Sequence, residues 1–200
     1  MAQDFRSARF WAAEMVMEAL SPGSVAVDAT MGNGHDTLWL CDLVGETGRV
    51  YAFDVQQEAL EHTRMRLQEA NMLSRAKLFL SGHQYMADFV QESADCVLFN
   101  LGWLPGAAHC VTTKTQTTLT AVQAALAILK DGGLLTICVY PGHEEGMREL
   151  DALIEWASAL NPQAFDVIHK RYLNQRNNPP QLIAVRKRPG NNAKHKPKSV

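Results

Sequence analysis

Two polar clusters in this 200-residue chain have residue types and spacing that could do chemistry, and each follows an apolar run. The first lies in VDATMGNGHDT, residues 27–37, where Asp28 and Asp36 bracket a loop holding Gly32, Asn33 and Gly34. Glycines permit close backbone approach, and a helix starting near Thr37 offers unpaired amides, so the segment suits a nucleotide-like ligand. The second is Asn100-Leu101-Gly102-Trp103, a carboxamide followed by a flat aromatic ring. Read alone, Asn100 is either a ligand-facing amide or an Asx-turn cap, and Trp103 either a stacking platform or core.

Charge narrows the ligand of the first cluster. A dinucleotide fingerprint wants a third glycine where Thr37 stands, and no carboxylate beside the pyrophosphate. Asp28 and Asp36 would repel a diphosphate but suit a ligand that carries an ammonium and a sulfonium, as S-adenosylmethionine does. Asp54 ends the run RVYAFD and is placed to accept both ribose hydroxyls, with Gln56 close behind it. Gly82, His83 and Gln84 follow the third strand, where the adenine belongs. His83 reads there as a packing or hydrogen-bonding residue rather than an acid-base catalyst. A lone Gly-x-Gly is common and a strand-ending Asp is often a helix cap. Their combination at this spacing carries the cofactor reading.

These residues need a frame that brings them together. Ala8 to Leu20 has helical periodicity and stops at Ser21-Pro22-Gly23. Ser24–Asp28, Arg49–Asp54, Lys77–Leu80, Ala94–Asn100 and Gly133–Tyr140 read as strands. Thr37–Val44, Gln57–Ala70, Thr115–Leu129 and Glu144–Leu160 read as helices between and after them, and Gln84–Val90 as a short helix or turn. The alternation implies a parallel sheet with right-handed crossovers, an α/β fold. The last two strand-like runs, Ala164–Arg171 and Gln181–Lys187, are joined by YLNQRNNPP with no helix, which adds an antiparallel hairpin to a mostly parallel seven-stranded sheet. Ligands of such a sheet sit at the carboxyl ends of the strands, where the strand order reverses.

Bulk composition, 46% hydrophobic over 200 residues, supports a single domain, taken as 1–188, with 189–200 as a basic and disordered tail. Net charge is −2, yet residues 186–200 hold Arg186, Lys187, Arg188, Lys194, Lys196 and Lys198 and no acid, so the body is more acidic than the total suggests. The tail is either a solubilising end or a phosphate contact. Cys41, Cys96, Cys110 and Cys138 form no CxxC pair, so neither a metal site nor a disulfide framework is expected. There is no apolar run of about 18 residues, and MAQDFRSARFW lacks the pattern of a signal peptide, so the chain is read as cytoplasmic, without membrane contact. The N-terminal helix with Phe5, Phe10 and Trp11 covers either the sheet or a second subunit, which leaves a homodimer open.

The order of Asp-loop-Gly, acid-tipped second strand, Asn-tipped fourth strand and terminal hairpin resembles the Rossmann-like class I S-adenosylmethionine-dependent methyltransferases. More narrowly, DATMGNGHDT, NLGWLPG, YPGHEEG and YLNQRNNPP resemble the bacterial family labelled putative rRNA methylases, associated with methylation of 5-aminomethyl-2-thiouridine in tRNA. The resemblance implies N-methylation of the aminomethyl group at the wobble position, giving 5-methylaminomethyl-2-thiouridine, with the tRNA anticodon region as partner. An rRNA base or a small-molecule amine is the alternative acceptor. It also implies that Asp28, Asn33, Gly34, Asp36, Thr37 and Asp54 line the S-adenosylmethionine site. Asn100-Leu101-Gly102-Trp103 is similar in placement to the Asn-Pro-Pro-Tyr tetrapeptide of amino-group methyltransferases, which implies catalytic roles for Asn100 and Trp103 and substrate contact at Leu101 and Gly102. Trp103 departs from the tyrosine expected to be commoner in the family; both are flat platforms. Tyr140 and His143 of the YPGHEEG turn are further substrate candidates, His143 also as an alternative proton acceptor. Tyr172, Asn174, Gln175 and Asn178 of the linker are expected either at the substrate mouth or as plain turn residues.

Overall fold

The apolar runs form one sheet in the order β3-β2-β1-β4-β5-β7-β6. In this computed structural model, which describes residues 7–102 and 112–190, the strands are β1 (Val25–Asp28), β2 (Arg49–Asp54), β3 (Ala76–Leu80), β4 (Ala94–Asn100), β5 (Leu129–Val139), β6 (Phe165–Lys170) and β7 (Gln181–Lys187). β1 to β5 pair in parallel, while β7 runs antiparallel to both β5 and β6. Parallel neighbours need crossovers, which contain α2 (His35–Val44), α3 (Gln57–Glu69), the short α4 (Met86–Phe89) and α5 (Thr115–Ile128). α1 (Ala8–Ala19) precedes the sheet, and α6 (Glu144–Ser158) leads to the terminal hairpin.

Alternation along the strands divides the core into two layers. Val27, Phe53, Val97, Phe99, Ile137 and Ile183 face α5 and α6, whose Ala121, Val122, Ala125, Leu150 and Leu153 complete one cluster. Ala26, Val50, Cys96, Leu98, Cys138 and Ala184 face the other way, onto Ala8, Ala12 and Val16 of α1, Leu40 and Val44 of α2 and Leu67 of α3. Each large apolar side chain buried this way contributes about 1.5–3 kcal/mol. α1 thus covers the sheet. Cys41, Cys96 and Cys138 are buried free thiols that pack as small hydrophobes.

The sheet contains the seven strand runs of the sequence, with two informative shifts. α2 starts at His35, ahead of Thr37, because Gly34 sits in the left-handed region at φ 77° and serves as N-cap. β5 starts at Leu129, well before Gly133. Ala94 pairs with Leu129 but Cys96 with Leu134, so the Lys-Asp-Gly-Gly stretch is a bulge within the strand and not a turn before it. Partners outside the ladder hold it: Lys187 Nζ donates to the Leu129 carbonyl at 2.7 Å, Arg186 to the Gly132 carbonyl at 3.0 Å, and Lys130 to Asp95 at 2.8 Å. Among the described residues no helix is long and apolar enough to cross a membrane.

Strand order reverses between β1 and β4, which sit side by side while their crossovers leave in opposite directions. A crevice opens there, above the carboxyl ends of the strands.

Candidate active site

The crevice is a cavity of about 1010 Å³, at the upper limit of the roughly 300–1,000 Å³ usual for ligand sites, and large enough for a nucleoside cofactor and a second ring. Its described wall takes Ala29 to Asn33, His35 and Asp36 from the first loop, Phe53 to Gln56 from the tip of β2, and Ser81 to Gln84 from the tip of β3. Asn100 to Gly102 after β4, Thr112 to Lys114, Thr117, Tyr140, His143 and Arg9 of α1 complete it.

The first loop is held from beneath and from the side. Asp28 is fully buried and accepts from Thr37 Oγ1 at 2.7 Å and from the Thr30 amide at 3.2 Å. Burial, followed by the charge of Asp36, pushes the Asp28 carboxyl up to about 7. Thr63 Oγ1 of α3 donates to the Gly32 carbonyl at 3.0 Å, Arg66 Nε donates to the Asn33 carbonyl at 2.8 Å, and His62 Nδ1 lies 3.0 Å from Asn33 Oδ1. A Cβ on Gly34 would lie 2.8 Å from Thr63 Cα. The missing side chain at Gly34 therefore serves helix packing, where the sequence suggested ligand approach.

Asp54 ties this loop to the tip of β2. Its Oδ2 accepts from the Gly32 amide and its Oδ1 from the Gln56 amide, each at 3.0 Å. The Gln56 side chain and the Val55 amide hydrogen-bond it as well, so a ligand hydroxyl would share this carboxylate with protein donors. Burial raises the Asp54 carboxyl above the usual range, opposed by these hydrogen bonds. Val55, beside it on the wall, is 59% exposed, an apolar surface that a flat ring can cover. His83 is 8% exposed, with its ring 5.6 Å from that of Phe99. Desolvation lowers it to about 4, opposed by a hydrogen bond with the Ala29 backbone. It is a neutral wall residue near pH 7.

Asn100 ends β4 facing this group. Its amide donates to Thr30 Oγ1 at 2.8 Å, and its Nδ2 donates to Asp36 Oδ2 at 2.6 Å. Arg9 Nη2 donates to the other Asp36 oxygen at 2.7 Å. The turn beyond is fixed from α6. Thr113 Oγ1 accepts from the Gly102 amide at 3.0 Å and donates to Glu149 Oε2 at 2.8 Å, while Thr118 Oγ1 donates to Glu149 Oε1 at 2.6 Å. Glu149 is 1% exposed, and burial raises its carboxyl.

His143 caps α6, its Nδ1 accepting from the Gly146 amide at 3.1 Å. With Nδ1 engaged as acceptor, the neutral ring carries its proton on Nε2. The Nδ1 lone pair is thereby committed to the helix cap. Gly146 is required there, because a Cβ would lie 2.2 Å from the Tyr140 carbonyl.

The cavity wall thus brings together Gly32, Asn33, Asp36, Asp54, Gln56, His83, Gln84, Asn100, Leu101, Gly102, Tyr140 and His143. It excludes Asp28 and Thr37, which lie behind the loop, and Gly34, which faces α3. Trp103 lies outside the described residues. Tyr172, Asn174, Gln175 and Asn178 are not on the wall; the Tyr172 ring packs 5.4 Å from Trp11. Their linker leaves β6 at Lys170, opposite Leu182, and re-enters at Gln181, opposite Val139, so it borders the same edge of the sheet. Arg9, Thr30, Thr113 and Glu149 join the site without having been read from the sequence. Single hydrophilic residues on helix faces or in turns carry no local signal of a partner 27 or 36 positions away.

The donor set fits a nucleoside that carries positive charge. Asp54 can accept from its ribose, the apolar Val55 and neutral His83 can hold its base, and the field of the carboxylates favours its cationic end. The pairing of Asp36 with Arg9 makes the cavity less acidic than a count of carboxylates suggests.

Comparisons with known proteins agree with this geometry. A model of the family described as "Putative rRNA methylase" matches residues 50–186. The tRNA (mnm(5)s(2)U34)-methyltransferase, chloroplastic, of Arabidopsis thaliana is 40% identical over 153 residues, which cover 72% of this chain and 56% of that protein. This chain therefore spans little more than half the length of that curated relative. The crystal structure of a putative rRNA-methylase from Clostridium thermocellum superposes with a TM-score of 0.90 at 34% identity, covering 92% of this chain and 100% of that one. A putative methyltransferase from Streptococcus mutans, solved in complex with SAH, gives a TM-score of 0.84 at 38% identity, covering 92% and 99%.

Proposed function

The chain belongs to the putative rRNA methylase family of S-adenosylmethionine-dependent methyltransferases, and from that premise we propose that it N-methylates the aminomethyl group of 5-aminomethyl-2-thiouridine at the tRNA wobble position. The product is 5-methylaminomethyl-2-thiouridine, the partner is the anticodon region of tRNA, and the compartment is the cytoplasm. The observation that carries this reading is the position of Asn100, a carboxamide at the tip of β4 in the same cavity as Asp54. The printed name of the Arabidopsis relative supports the choice of acceptor.

Asp54, Gln56, the loop of Gly32 and Asn33, and the wall of Val55, His83 and Gln84 would hold the cofactor. When bound, S-adenosylmethionine supplies an electrophilic methyl group on a sulfonium. The acceptor is a primary alkyl amine similar to lysine, with a reference pKa of about 10.4, so near pH 7 only about one molecule in 10³ has a free lone pair. Arg9 offsets the charge of Asp36 on the wall, so the ammonium form gains less from that carboxylate, and the oxygens of Asn100 and Leu101 can accept N–H bonds that aim the lone pair once the amine is neutral. A neutral amine that gains a methyl group becomes a secondary ammonium, so bond formation itself needs no base. The surplus proton leaves to water. This agrees with the low basicity of His83 and with the use of His143 Nδ1 as a helix cap.

The test is methyl transfer from labelled S-adenosylmethionine to tRNA with and without the aminomethyl group. Only the former accepts label, and Asn100→Ala lowers kcat by about 10²-fold while cofactor binding stays intact. Equal labelling of tRNA that lacks the group, or of rRNA, overturns the assignment of the acceptor.

A further inference from the structure

We propose that Asp36 is a positioning residue that fixes the polarity of the Asn100 carboxamide, holding its nitrogen away from the substrate and leaving its oxygen as the substrate's acceptor. The inference rests on the reading of Asn100 as the group that receives the amine.

The two ends of a carboxamide are nearly equal in shape and opposite in function, since one accepts hydrogen bonds and the other donates two. An amine that must present a lone pair to an electrophile can only give its N–H groups away, so the wrong end of Asn100 would meet donor with donor. Packing alone selects poorly between the ends, whereas a carboxylate selects absolutely because it only accepts. With an Asp36 oxygen 2.6 Å away, the facing atom of Asn100 must be Nδ2; the flipped amide would set two lone-pair oxygens against each other. Oδ1 is then the remaining polar atom of a side chain that lines the cavity.

The carboxylate is itself restrained. Arg9 Nη2 holds its second oxygen at 2.7 Å in a charge-assisted bond, and Asp36 is anchored in the first turn of α2. The Asn100 backbone is pinned by Thr30 Oγ1 at 2.8 Å. α1, α2 and β4 thus converge on one amide, and both hydrogen-bonded oxygens of Asp36 are turned to protein groups. This separates Asp36 from Asp54, whose oxygens accept from the backbone amides of Gly32 in the first loop and Gln56 after β2.

Asp36→Asn keeps the shape and removes the acceptor-only character. In assays with aminomethyl tRNA, kcat at saturating cofactor falls by at least about tenfold, while the cofactor Kd from calorimetry stays within about threefold. In an Asn100→Ala background Asp36→Asn causes no further loss, since its effect passes through Asn100. A readout that needs no substrate runs beside these. The Asn100 side-chain 15N amide pair, identified by its disappearance in Asn100→Ala, is protected from exchange in the native protein and loses that protection in Asp36→Asn. If Asp36→Asn proves too unstable to assay, Arg9→Ala releases the carboxylate with its charge intact and lowers kcat in the same direction. A weakened cofactor Kd with unchanged kcat overturns the proposal and makes Asp36 a cofactor ligand. Full additivity with Asn100→Ala, or an amide pair still protected in Asp36→Asn, overturns it as well. Failure of the native protein to methylate aminomethyl tRNA would sink the acceptor reading alone, because the exchange measurement still decides how Asn100 is oriented.

Discussion

Asp28→Asn should change how stability depends on pH, and in a direction that identifies the cause. The Asp28 carboxyl is fully buried and its pKa is raised from 3.8 to about 7, by desolvation first and the charge of Asp36 second. Below pH 3.8 both folded and unfolded chains hold the proton and the residue costs nothing. As pH rises from there to about 7 the unfolded chain gives up its proton while the folded chain retains it. Stability from this group is therefore present at low pH and lost through the folded pKa. At about 1.4 kcal/mol per tenfold change in proton affinity, the loss by pH 8 is on the order of 4 kcal/mol. His83 acts in the opposite sense: with its pKa depressed to about 4, its contribution is present above the unfolded value of 6.5 and lost as pH falls toward 4. The native profile is the sum of the two, so the difference between native and Asp28→Asn proteins isolates the aspartate. Denaturant melts across pH 4.5–8.5 should show Asp28→Asn gaining on the native protein by about 1.4 kcal/mol per pH unit up to about pH 7, then running level. Parallel profiles would refute the electrostatic account. The same ionisation is linked to the cofactor, because a cationic ligand favours the charged carboxylate. S-adenosylmethionine should release protons on binding near pH 7, read from calorimetry in buffers of different ionisation enthalpy, and Asp28→Asn should abolish that release.

Two further substitutions probe the loop. Gly34→Ala forces a left-handed residue and drives a Cβ to 2.8 Å from Thr63 Cα. It should lower Tm by roughly 5–15 °C in a chain of this size, and an unchanged melting curve would refute the close approach. Asp54→Ala removes the tether of Gly32 and the proposed ribose acceptor together. Calorimetry should show cofactor affinity reduced by about 10²- to 10³-fold, and a Kd within about twofold of native would move the ribose elsewhere.

The legible part of this molecule was the part written in local pattern. β2, β4 and β7 have the bounds that their runs suggest, because a strand in the middle of a covered sheet needs a short run of mostly apolar residues and little else. Asp54 and Asn100 were legible because the carboxyl end of a strand in such a sheet is a known place. The bulge in β5 was hidden because Lys130 to Gly133 carry turn residues, and their strand character comes from partners in β4 and β7. The first loop was misread in part for a similar reason. Sequence shows that Gly34 lacks a side chain but not whether a ligand or Thr63 occupies the space. Arg9 was illegible: a cation on a helix surface reads as a solvated face until the fold brings it to Asp36.

That last contact changes what the acidic loop means. Three aspartates within one site would be read as a single attraction for positive charge, yet the structure gives them three environments. Asp36 is matched by Arg9, so its charge is spent within the protein and its geometry is what remains useful. Asp28 is sealed beneath the loop, where it holds Thr30 and Thr37 and affects a ligand only through the field. Asp54 lies on the wall with its oxygens held by backbone amides of Gly32 and Gln56 rather than by a cation. On the proposed reaction, a site that must hold a cation and also keep an incoming amine uncharged benefits from this division. Three unpaired carboxylates would stabilise the ammonium form of the amine and suppress the lone pair on which transfer depends. On that reading, Arg9 on the wall serves the acceptor as much as it serves Asp36.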